Sequence, residues 1–319
     1  VLAVFCVAVG VMAIVALQLV GLMINNALTS NVRDANGGDI AVTSSIKPFT
    51  QSDLSYFDTL KKNGTITAYT SLLANTTGST SNSATVNNAF TAEVVNPSTF
   101  PVVTPPTFVT PSNGKISTLL TNKQVIVDQT FIDQYHKKVG DAFDAHIAFN
   151  NGSARIIHVT IAGIVTDSGA LAQSSDDMLI SNTDYSAADP KAPVLYDTVD
   201  VTTPDQAHIN QAVKAIQGQF PIASTRTAAD ALKSQQAQVD FIKKFLEIAG
   251  LLALLIGGVG IVNTMQVLLS RRKIEIAMLK TTGYRRFDLY LLFGLEAGLL
   301  GLLGGIVGAL ASIGLSYLV

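Results

Sequence analysis

The sequence predicts a membrane protein that combines an α-helical transmembrane bundle with a large α+β extracytoplasmic domain. Three runs are nearly free of charge: Val1–Val32 and Ile248–Ser270 have no charged side chain, and Leu289–Val319 has only Glu296. Each run exceeds the ~18–20 apolar residues that cross a hydrocarbon core about 30 Å thick. The long polar stretch between the first two runs has enough residues for one large or two small domains.

The charge distribution predicts which side of the membrane each part occupies. Residues 25–240 carry 13 Lys and Arg against 19 Asp and Glu, a net charge of −6. Residues 270–287 carry six basic residues against Glu275 alone, a net charge of +5. Basic short loops favour the cytoplasmic side, whereas long domains cross the membrane largely regardless of charge. We therefore expect residues 271–287 in the cytoplasm and the polar domain outside.

The three runs predict transmembrane helix 1 over residues 1–27, helix 2 at the end of residues 227–270, and helix 3 over residues 288–319. The chain begins without Met and ends in an apolar run, so we expect a fragment of a longer protein. The only cysteine, Cys6, lies in the first run, which excludes an internal disulfide. The outer domain must therefore be held together by its hydrophobic core.

The outer domain, residues 28–226, is predicted to alternate strands and helices in an α+β layout. Periodicity predicts strands over residues 39–43, 65–70, 89–95, 124–127, 156–165, 177–180 and 198–201, and helices over residues 52–62, 129–138 and 206–217. Ser52 or Asp53 is the expected N-cap of the first helix, and Gly140 the expected end of the second. Residues 71–195 are interpreted as a subdomain inserted into a smaller β-α-β unit.

Mostly apolar sets of residues recur every three or four positions on both sides of this domain. After the first run they are Asn25, Leu28, Val32 and Ala35; before the second they are Ala228, Leu232, Gln235, Val239, Ile242, Leu246 and Ala249. The second seam lies on a helix expected to begin near Thr227 and to continue into the membrane. We expect the two seams to pair as a stalk. The alternative is that each seam only packs on its own domain.

No motif predicts an active site. No phosphate-binding G-x-x-x-x-G-K-[ST] sequence is present, and Gly257-Gly258-Val259-Gly260 lies within an apolar run rather than after a strand. The four histidines lack metal-ligand spacing. We therefore expect no enzymatic activity, no metal and no bound cofactor in this chain.

Small and polar residues in the apolar runs predict helix packing. The small residues are Gly257, Gly258, Gly301, Gly304 and Gly305, and small residues let helices approach closely in lipid. An unpaired Glu296 is costly at its expected depth of about two helical turns. It can either extend to the headgroups or pair with Asn263 or the basic residues 271–273, and the sequence leaves both open.

The basic stretch 271–287 also contains the apolar residues Ile274, Ile276, Met278 and Leu279. One interpretation is a short amphipathic helix that contacts a cytoplasmic partner. The other is an anchor that lies on anionic headgroups. Spacing does not distinguish them.

Residues 257–310, GGVGIVNTMQVLLSRRKIEIAMLKTTGYRRFDLYLLFGLEAGLLGLLGGIVGAL, closely resemble the FtsX-like permease domain of MacB-type ABC transporters. The matching positions are Arg272, Glu275, Ile276, Lys280, Gly283, Glu296, Gly304 and Gly305. Three earlier segments, GGDIAVTS, VIVDQTFIDQYHKKVGDAF and IIHVTIAGIV, resemble the MacB-like periplasmic core domain more weakly. The resemblance covers most of the chain and is least clear over residues 71–118.

This resemblance implies a multi-pass permease of the cell membrane with four spans, the fourth lying beyond this sequence. It implies a homodimer or heterodimer and an ABC ATPase, separate or fused, that binds Mg-ATP. The ATPase would contact the connector through Arg272, Glu275, Ile276, Leu279, Lys280 and Gly283. ATP hydrolysis would then move the outer domain to export or extract a substrate, with an extracytoplasmic protein as a further partner and no nucleic acid. The alternative function is a membrane sensor or scaffold whose outer domain binds a ligand.

Overall fold

The computed structural model describes residues 15, 19, 31–80, 88–172, 174, 177–281, 283, 287, 291, 294, 295, 298, 299, 301–307 and 310. The chain divides into two compact units, Asn31–Lys233 and the remainder. The helix expected over residues 1–27 lies outside the described residues except at positions 15 and 19.

Asn31–Lys233 is an α+β domain, as the sequence predicted. Its strands are β1 Ile40–Thr43, β2 Ala68–Ser79, β3 Ala89–Val95, β4 Phe108–Thr110, β5 Gln124–Asp128, β6 Ala142–Ala148, β7 Ala154–Val165, β8 Met178–Ser181, β9 Thr198–Thr202 and β10 Ser224–Thr227. Its helices are α1 Val32–Ala35, α2 Gln51–Lys62, α3 Ile116–Leu119, α4 Gln129–Tyr135, α5 Asn182–Ala188 and α6 Gln206–Gln219, with a 3₁₀ turn at Gly169–Leu171.

The described strands form one ten-stranded sheet in the order β10-β1-β9-β2-β3-β8-β5-β7-β4, and β6 pairs with β2 and β7. The long strand β2 joins the two halves of this sheet. Ala68–Leu72 pairs with β9, and the remainder from Leu72 onward pairs with β3. The strand is therefore continuous across residue 71, where the inserted subdomain was predicted to begin. The predicted boundaries at 71 and 195 stay predictions.

Two main hydrophobic cores lie on either side of that shared strand. The first core packs α2 and α6 on β1 and β9, with the buried ring of Phe57 stacked on Phe220 at 5.7 Å. The second core packs α4 and α5 on the opposite half of the sheet around Phe131 and Tyr185. Val194 packs against both cores. These cores hold the domain together without an internal disulfide, which a chain with one cysteine cannot form.

Helix α2 begins with a capping box at Thr50. The Thr50 side chain accepts a bond from the Asp53 N–H, and the Asp53 carboxylate accepts one from the Thr50 N–H at 2.8 Å. The sequence-based choice of Ser52 or Asp53 as N-cap is therefore wrong. Thr50 keeps an extended backbone while its oxygen reaches the third residue of the helix, which is the geometry a capping box requires.

We predict that Thr50→Ala lowers the free energy of unfolding of this domain by about 1 kcal/mol, because the Asp53 N–H and carboxylate lose the Thr50 hydroxyl as a hydrogen-bond partner. Differential scanning calorimetry of the full chain should show a lower unfolding temperature. Thr50→Ser keeps the acceptor oxygen and should remain near wild type. Equal loss in both variants would contradict a capping role.

Helix α4 ends three residues before the predicted Lys138. His136 adopts a left-handed conformation, with φ 51°, and its N–H bonds to the Ile132 carbonyl, which closes the helix. Gly140 instead lies in the following turn, with φ 93°. Strands β4, β6 and β10 and helices α3 and α5 were not predicted.

In the second unit, α7 Ala228–Arg271, which begins in the first unit, is followed by α8 Lys273–Thr281, and residues 301–307 are also helical. Helix α7 confirms the predicted helix start near Thr227. Among the residues that the structure describes, no helix is both long enough and apolar enough to cross a membrane. The predicted three-span topology stays a prediction.

Candidate coupling site

The segment predicted to face the cytoplasm begins at a break between two helices. Helix α7 ends at Arg271, Arg272 forms a turn, and α8 begins at Lys273. The Ile276 N–H donates to the Arg272 carbonyl at 3.0 Å. Arg272 Nε and Glu275 Oε2 are 3.9 Å apart and half-exposed or exposed, so their ion pair contributes little to stability. The hydrogen-bonded turn, rather than the ion pair, sets where α8 starts.

Two apolar side chains of α8 are exposed on one face. Ile274 is 75% exposed and Met278 is 58% exposed, and residues four apart are neighbours on a helix surface. Ile276 and Leu279, which the resemblance placed in the ATPase contact, are half-buried. The apolar residues of α8 therefore form an exposed pair, Ile274 and Met278, and a half-buried pair, Ile276 and Leu279. The i, i+4 spacing was the signal that could have selected Ile274 and Met278.

The predicted Gly283 has φ 96°, a left-handed conformation that glycine adopts without steric cost. It follows the last residue of α8 by two positions, where such a glycine commonly ends a helix. The Thr281 hydroxyl donates to the Met278 carbonyl at 2.7 Å within the last turn. Lys280 belongs to α8, but its side chain is outside the described set.

The glycines predicted to pack helices differ in their surroundings. A Cβ added at Gly258, Gly301 or Gly305 would meet no described atom within 4 Å. Gly257 and Gly304 are helical, and Gly304 is buried. Asn263 is an exposed residue of α7. Glu296 lies outside the described residues, so extension to the headgroups and pairing with Asn263 or residues 271–273 both stay open.

The predicted seam on α7 is a covered face of that helix. All seven positions are half-buried or buried: Ala228, Leu232, Gln235, Val239, Ile242, Leu246 and Ala249. Val239 is 1% exposed, whereas Phe241 and Phe245 on other faces are 75% and 66% exposed. In the other seam, Val32 is buried and Leu28 lies outside the described residues. The pairing of the two seams stays a prediction.

Both connecting segments of the outer domain converge on Asp39. Its carbonyl accepts a bond from the N–H of Ala228, the first residue of α7, at 3.0 Å. Its carboxylate pairs with Arg33 of α1 at 2.7 Å and accepts the Thr203 N–H at 2.8 Å. Burial by itself raises the pKa of Asp39, but these hydrogen bonds outweigh burial and the net pKa is lowered. The ionised Asp39 therefore links the two ends of the domain.

The start of α7 is reinforced by a second capping box that the sequence-based reasoning missed. The Thr227 N–H donates to the Asp230 carboxylate at 3.1 Å, and the Asp230 N–H donates to the Thr227 hydroxyl at 3.1 Å. Asn36 Nδ2 donates to the carbonyls of Gly38 and Arg226, at 3.1 and 3.3 Å. The T-x-x-D spacing was the available signal. These bonds fix α1, β1, β10 and α7 together at one edge of the sheet.

A solvent-open cavity of about 460 Å³ lies where the two cores meet. It is lined by Thr50, Gln51, Ser52, Asn182, Thr183, Ser186, Pro193, Val194 and Tyr196, none of them ionised. Thr50 caps α2, and Ser181 caps α5. Elsewhere in the described residues, no group of three or more His, Cys, Asp and Glu side chains is placed to hold a metal ion.

Two family models match the chain. Residues 1–219 match the MacB-like periplasmic core domain, and residues 247–319 match the FtsX-like permease C-terminal domain. Among solved structures, the extracellular domain of the noncanonic ABC-type transporter YknZ from Gram-positive bacteria aligns with 11% identity and TM-score 0.41, over 59% of this chain and 99% of that one. The periplasmic region of MacB from Actinobacillus actinomycetemcomitans aligns with 11% identity and TM-score 0.40, over 66% and 97%.

Curated relatives include an uncharacterized ABC transporter permease, MJ1507, of Methanocaldococcus jannaschii, 37% identical over 28% of this chain. Macrolide export ATP-binding/permease proteins MacB of Syntrophobacter fumaroxidans and Bdellovibrio bacteriovorus are 36% and 25% identical over 30% and 51% of this chain. These alignments span only 23%, 13% and 27% of the relatives' own lengths. Since the MacB-like model alone covers more than half of the sequence, this chain belongs to the MacB/FtsX-type ABC transporter permeases, membrane permeases with an α+β extracytoplasmic domain.

Proposed function

We propose that this chain is the permease subunit that couples ATP hydrolysis in the cytoplasm to movement of its extracytoplasmic domain. The movement would export or extract a substrate. The chain itself is non-catalytic in this proposal. Mg-ATP is bound by a partner ABC ATPase, either a separate subunit or a fused domain, and a second permease protomer completes the assembly.

One observation carries the proposal: α7 is a single helix of 44 residues. At 1.5 Å per residue it is roughly 66 Å long. One end is fixed at the sheet by the Thr227–Asp230 capping box and by the Asp39 carbonyl. The other end is Arg271, next to the turn that starts α8. An uninterrupted helix transmits a displacement along its axis better than a jointed one, since its backbone hydrogen bonds are continuous.

The charge of the connector supports a protein partner at the far end. Residues 270–287 carry a net charge of +5 beside the exposed Ile274 and Met278. An ATPase surface with an apolar pocket and acidic rim complements such a segment, because complementary charge steers association while buried apolar anchors supply affinity.

The cavity between the two cores favours a second candidate function. Its volume of about 460 Å³ lies in the usual range of small-molecule sites. A sensor or scaffold would bind a ligand there and signal through α7. Under that function, ligand would change the position of α7 without nucleotide.

The deciding experiment is disulfide cross-linking of the full chain co-expressed with its cognate ABC ATPase. Cys6 is replaced by Ser, one cysteine is placed at Val239 on the covered face, and a second is scanned over residues 25–35, including Leu28. We expect cross-linking at some register, within or between protomers, with a yield that differs several-fold between ATP and ATP with vanadate.

A cysteine at Asp240 is the matched control, because Asp240 follows Val239 on α7, is exposed and points away from the seam. It should give little cross-linking and no nucleotide dependence. Cross-linking yields at Val239 that are the same with ATP and with ATP and vanadate at every register would contradict ATP-driven movement of the stalk. No cross-link at any register would contradict the stalk itself.

A further inference from the structure

Asp200 is a buried carboxylic acid in the middle of β9. It lies opposite Ala41 of β1 and Thr70 of β2 in the sheet. Its strand neighbours Val199 and Val201 point into the first core, so Asp200 points to the other face of the sheet. Only 6% of Asp200 is exposed. Acidic residues are rarely buried to this extent unless they are paired.

The turn between α1 and β1 packs directly on this carboxyl group. A Cβ added at Gly37 would lie 2.2 Å from Asp200 Oδ2, and one at Gly38 would lie 2.4 Å from the Val201 carbonyl oxygen. Gly37 also has φ 76°, which favours glycine. The Gly37–Gly38 turn therefore covers Asp200, and it is the segment through which the chain from α1 reaches the sheet.

Among the described residues, no positively charged side chain forms an ion pair with Asp200. Arg33 of α1 is paired with Asp39, and Arg226 of β10 is exposed. Asp34 of α1 accepts the Thr104 N–H at 3.3 Å. Asp197, on the same segment of chain as β9, adds a like charge. Burial first, and then Asp197, raise the pKa of Asp200 to about 7.

The covering turn also contains an unused acceptor. Asn36 is buried, and its Oδ1 has no hydrogen-bond partner among the described residues. Its Nδ2 is committed to the Gly38 and Arg226 carbonyls. A neutral carboxyl group carries the O–H donor that such an acceptor needs, whereas a carboxylate carries none.

We propose that Asp200 is a proton-binding site that controls the Gly37–Gly38 turn. The neutral acid packs against Gly37 and donates its proton to Asn36 Oδ1, which keeps the turn closed. Loss of the proton leaves a buried charge that is relieved by opening the turn to water. Proton binding by Asp200 does not depend on the proposed coupling function. Its effect on movement of the domain does rest on that function, because the turn joins α1 to the domain that would move.

The sign of the pH dependence follows from the raised pKa. With the turn closed, Asp200 holds its proton up to about pH 7, whereas a solvated Asp loses it near pH 4. Opening therefore releases a proton between these values. The opening equilibrium should rise by roughly tenfold per pH unit in this window and level off above it, while below the window the turn stays fully stabilised.

Hydrogen exchange of the full chain in detergent tests this directly. Exchange of residues 36–43 is measured from pH 4.5 to 8.5 and corrected for the intrinsic pH dependence of amide exchange. We expect opening in wild type to rise steeply and level off near pH 7. Asp200→Asn is always neutral and should give a flat profile with slow exchange at pH 8.

Asp197→Asn provides a second variant if Asp200→Asn does not fold. It removes the like charge, so opening should level off at a lower pH than in wild type. Asp133→Asn changes an exposed carboxylate on α4 and should reproduce the wild-type profile. A flat wild-type profile would overturn the proposal. So would the same pH dependence in wild type and Asp200→Asn, or an unmoved midpoint in Asp197→Asn. No arm uses ATPase or transport, so this result is separate from that of the coupling test.

Discussion

Gly38→Ala is expected to destabilise the Asn31–Lys233 unit by about 3 kcal/mol, at the upper end of the usual cost of overpacking. The added Cβ would lie 2.4 Å from the Val201 carbonyl oxygen and 3.0 Å from its carbonyl carbon. These are backbone atoms of β9, which pairs with strands on both sides and cannot move without breaking the sheet. The strain therefore has no flexible side chain to absorb it.

Differential scanning calorimetry of the full chain should show a loss of roughly 6–12 °C in the unfolding temperature of this domain, on the scale of about 2–4 °C per kcal/mol for its size. Gly218→Ala is the matched control. Gly218 lies in α6, and a Cβ there meets no described atom within 4 Å. That variant should be neutral or up to about 1 kcal/mol more stable, because alanine favours helix. A Gly38→Ala protein that unfolds at the wild-type temperature would contradict the close packing of the turn on β9.

The second large effect is expected at α8. Changing Ile274 and Met278 together to Asp should weaken binding of the proposed ABC ATPase partner by at least about 30-fold and abolish the proposed coupled transport. Loss of one apolar anchor at the centre of an interface typically costs about 2 kcal/mol or more, and 1.4 kcal/mol is tenfold in affinity. Both side chains are more than half exposed, so we expect their replacement to have little effect on the packing of α8.

The comparison between the two pairs of α8 sharpens the test. Ile276 and Leu279 are half-buried, so Ile276→Asp with Leu279→Asp should lose ATPase binding together with part of the helix, which hydrogen exchange would report. Ile156→Asp with Ile222→Asp places the same substitutions on exposed positions of the outer domain and should leave binding unchanged. Unaltered ATPase affinity and transport in the Ile274/Met278 variant would contradict the docking role and favour an anchor on lipid headgroups.

Strong local patterns accounted for much of the outer domain. The apolar run of residues 156–165 predicted β7 within two residues, and the residues 89–95 predicted β3 with its observed bounds. The three-to-four spacing from Ala228 to Ala249 predicted the covered face of α7. Each of these signals lies within one element, where side-chain direction repeats with the backbone period.

Weak local patterns failed for an identifiable reason. Strand β10 has the sequence STRT, whose apolar content is too low to predict a strand, and it is held by pairing with β1. Strand β2 was predicted to end at Thr70 but continues to Ser79, because its polar second half pairs with β3 and β6. Ile40 of β1 pairs with Thr227 of β10, and Ser79 of β2 pairs with His146 of β6, so these partners are far apart in sequence and no local period predicts them.

The sequence by itself determined the class of this protein: uncharged runs, an asymmetric charge distribution and a long family motif around Arg272–Gly305 need no tertiary contact to be recognised. It also determined where α7 begins, because a helix start depends on neighbouring residues. Only the tertiary structure decided that Asp39 ties both ends of the domain, that Gly37 covers Asp200, and that Ile274 and Met278 are exposed while Ile276 is not. Burial and close approach depend on segments far apart in the chain, and a single sequence contains no local record of which segments meet.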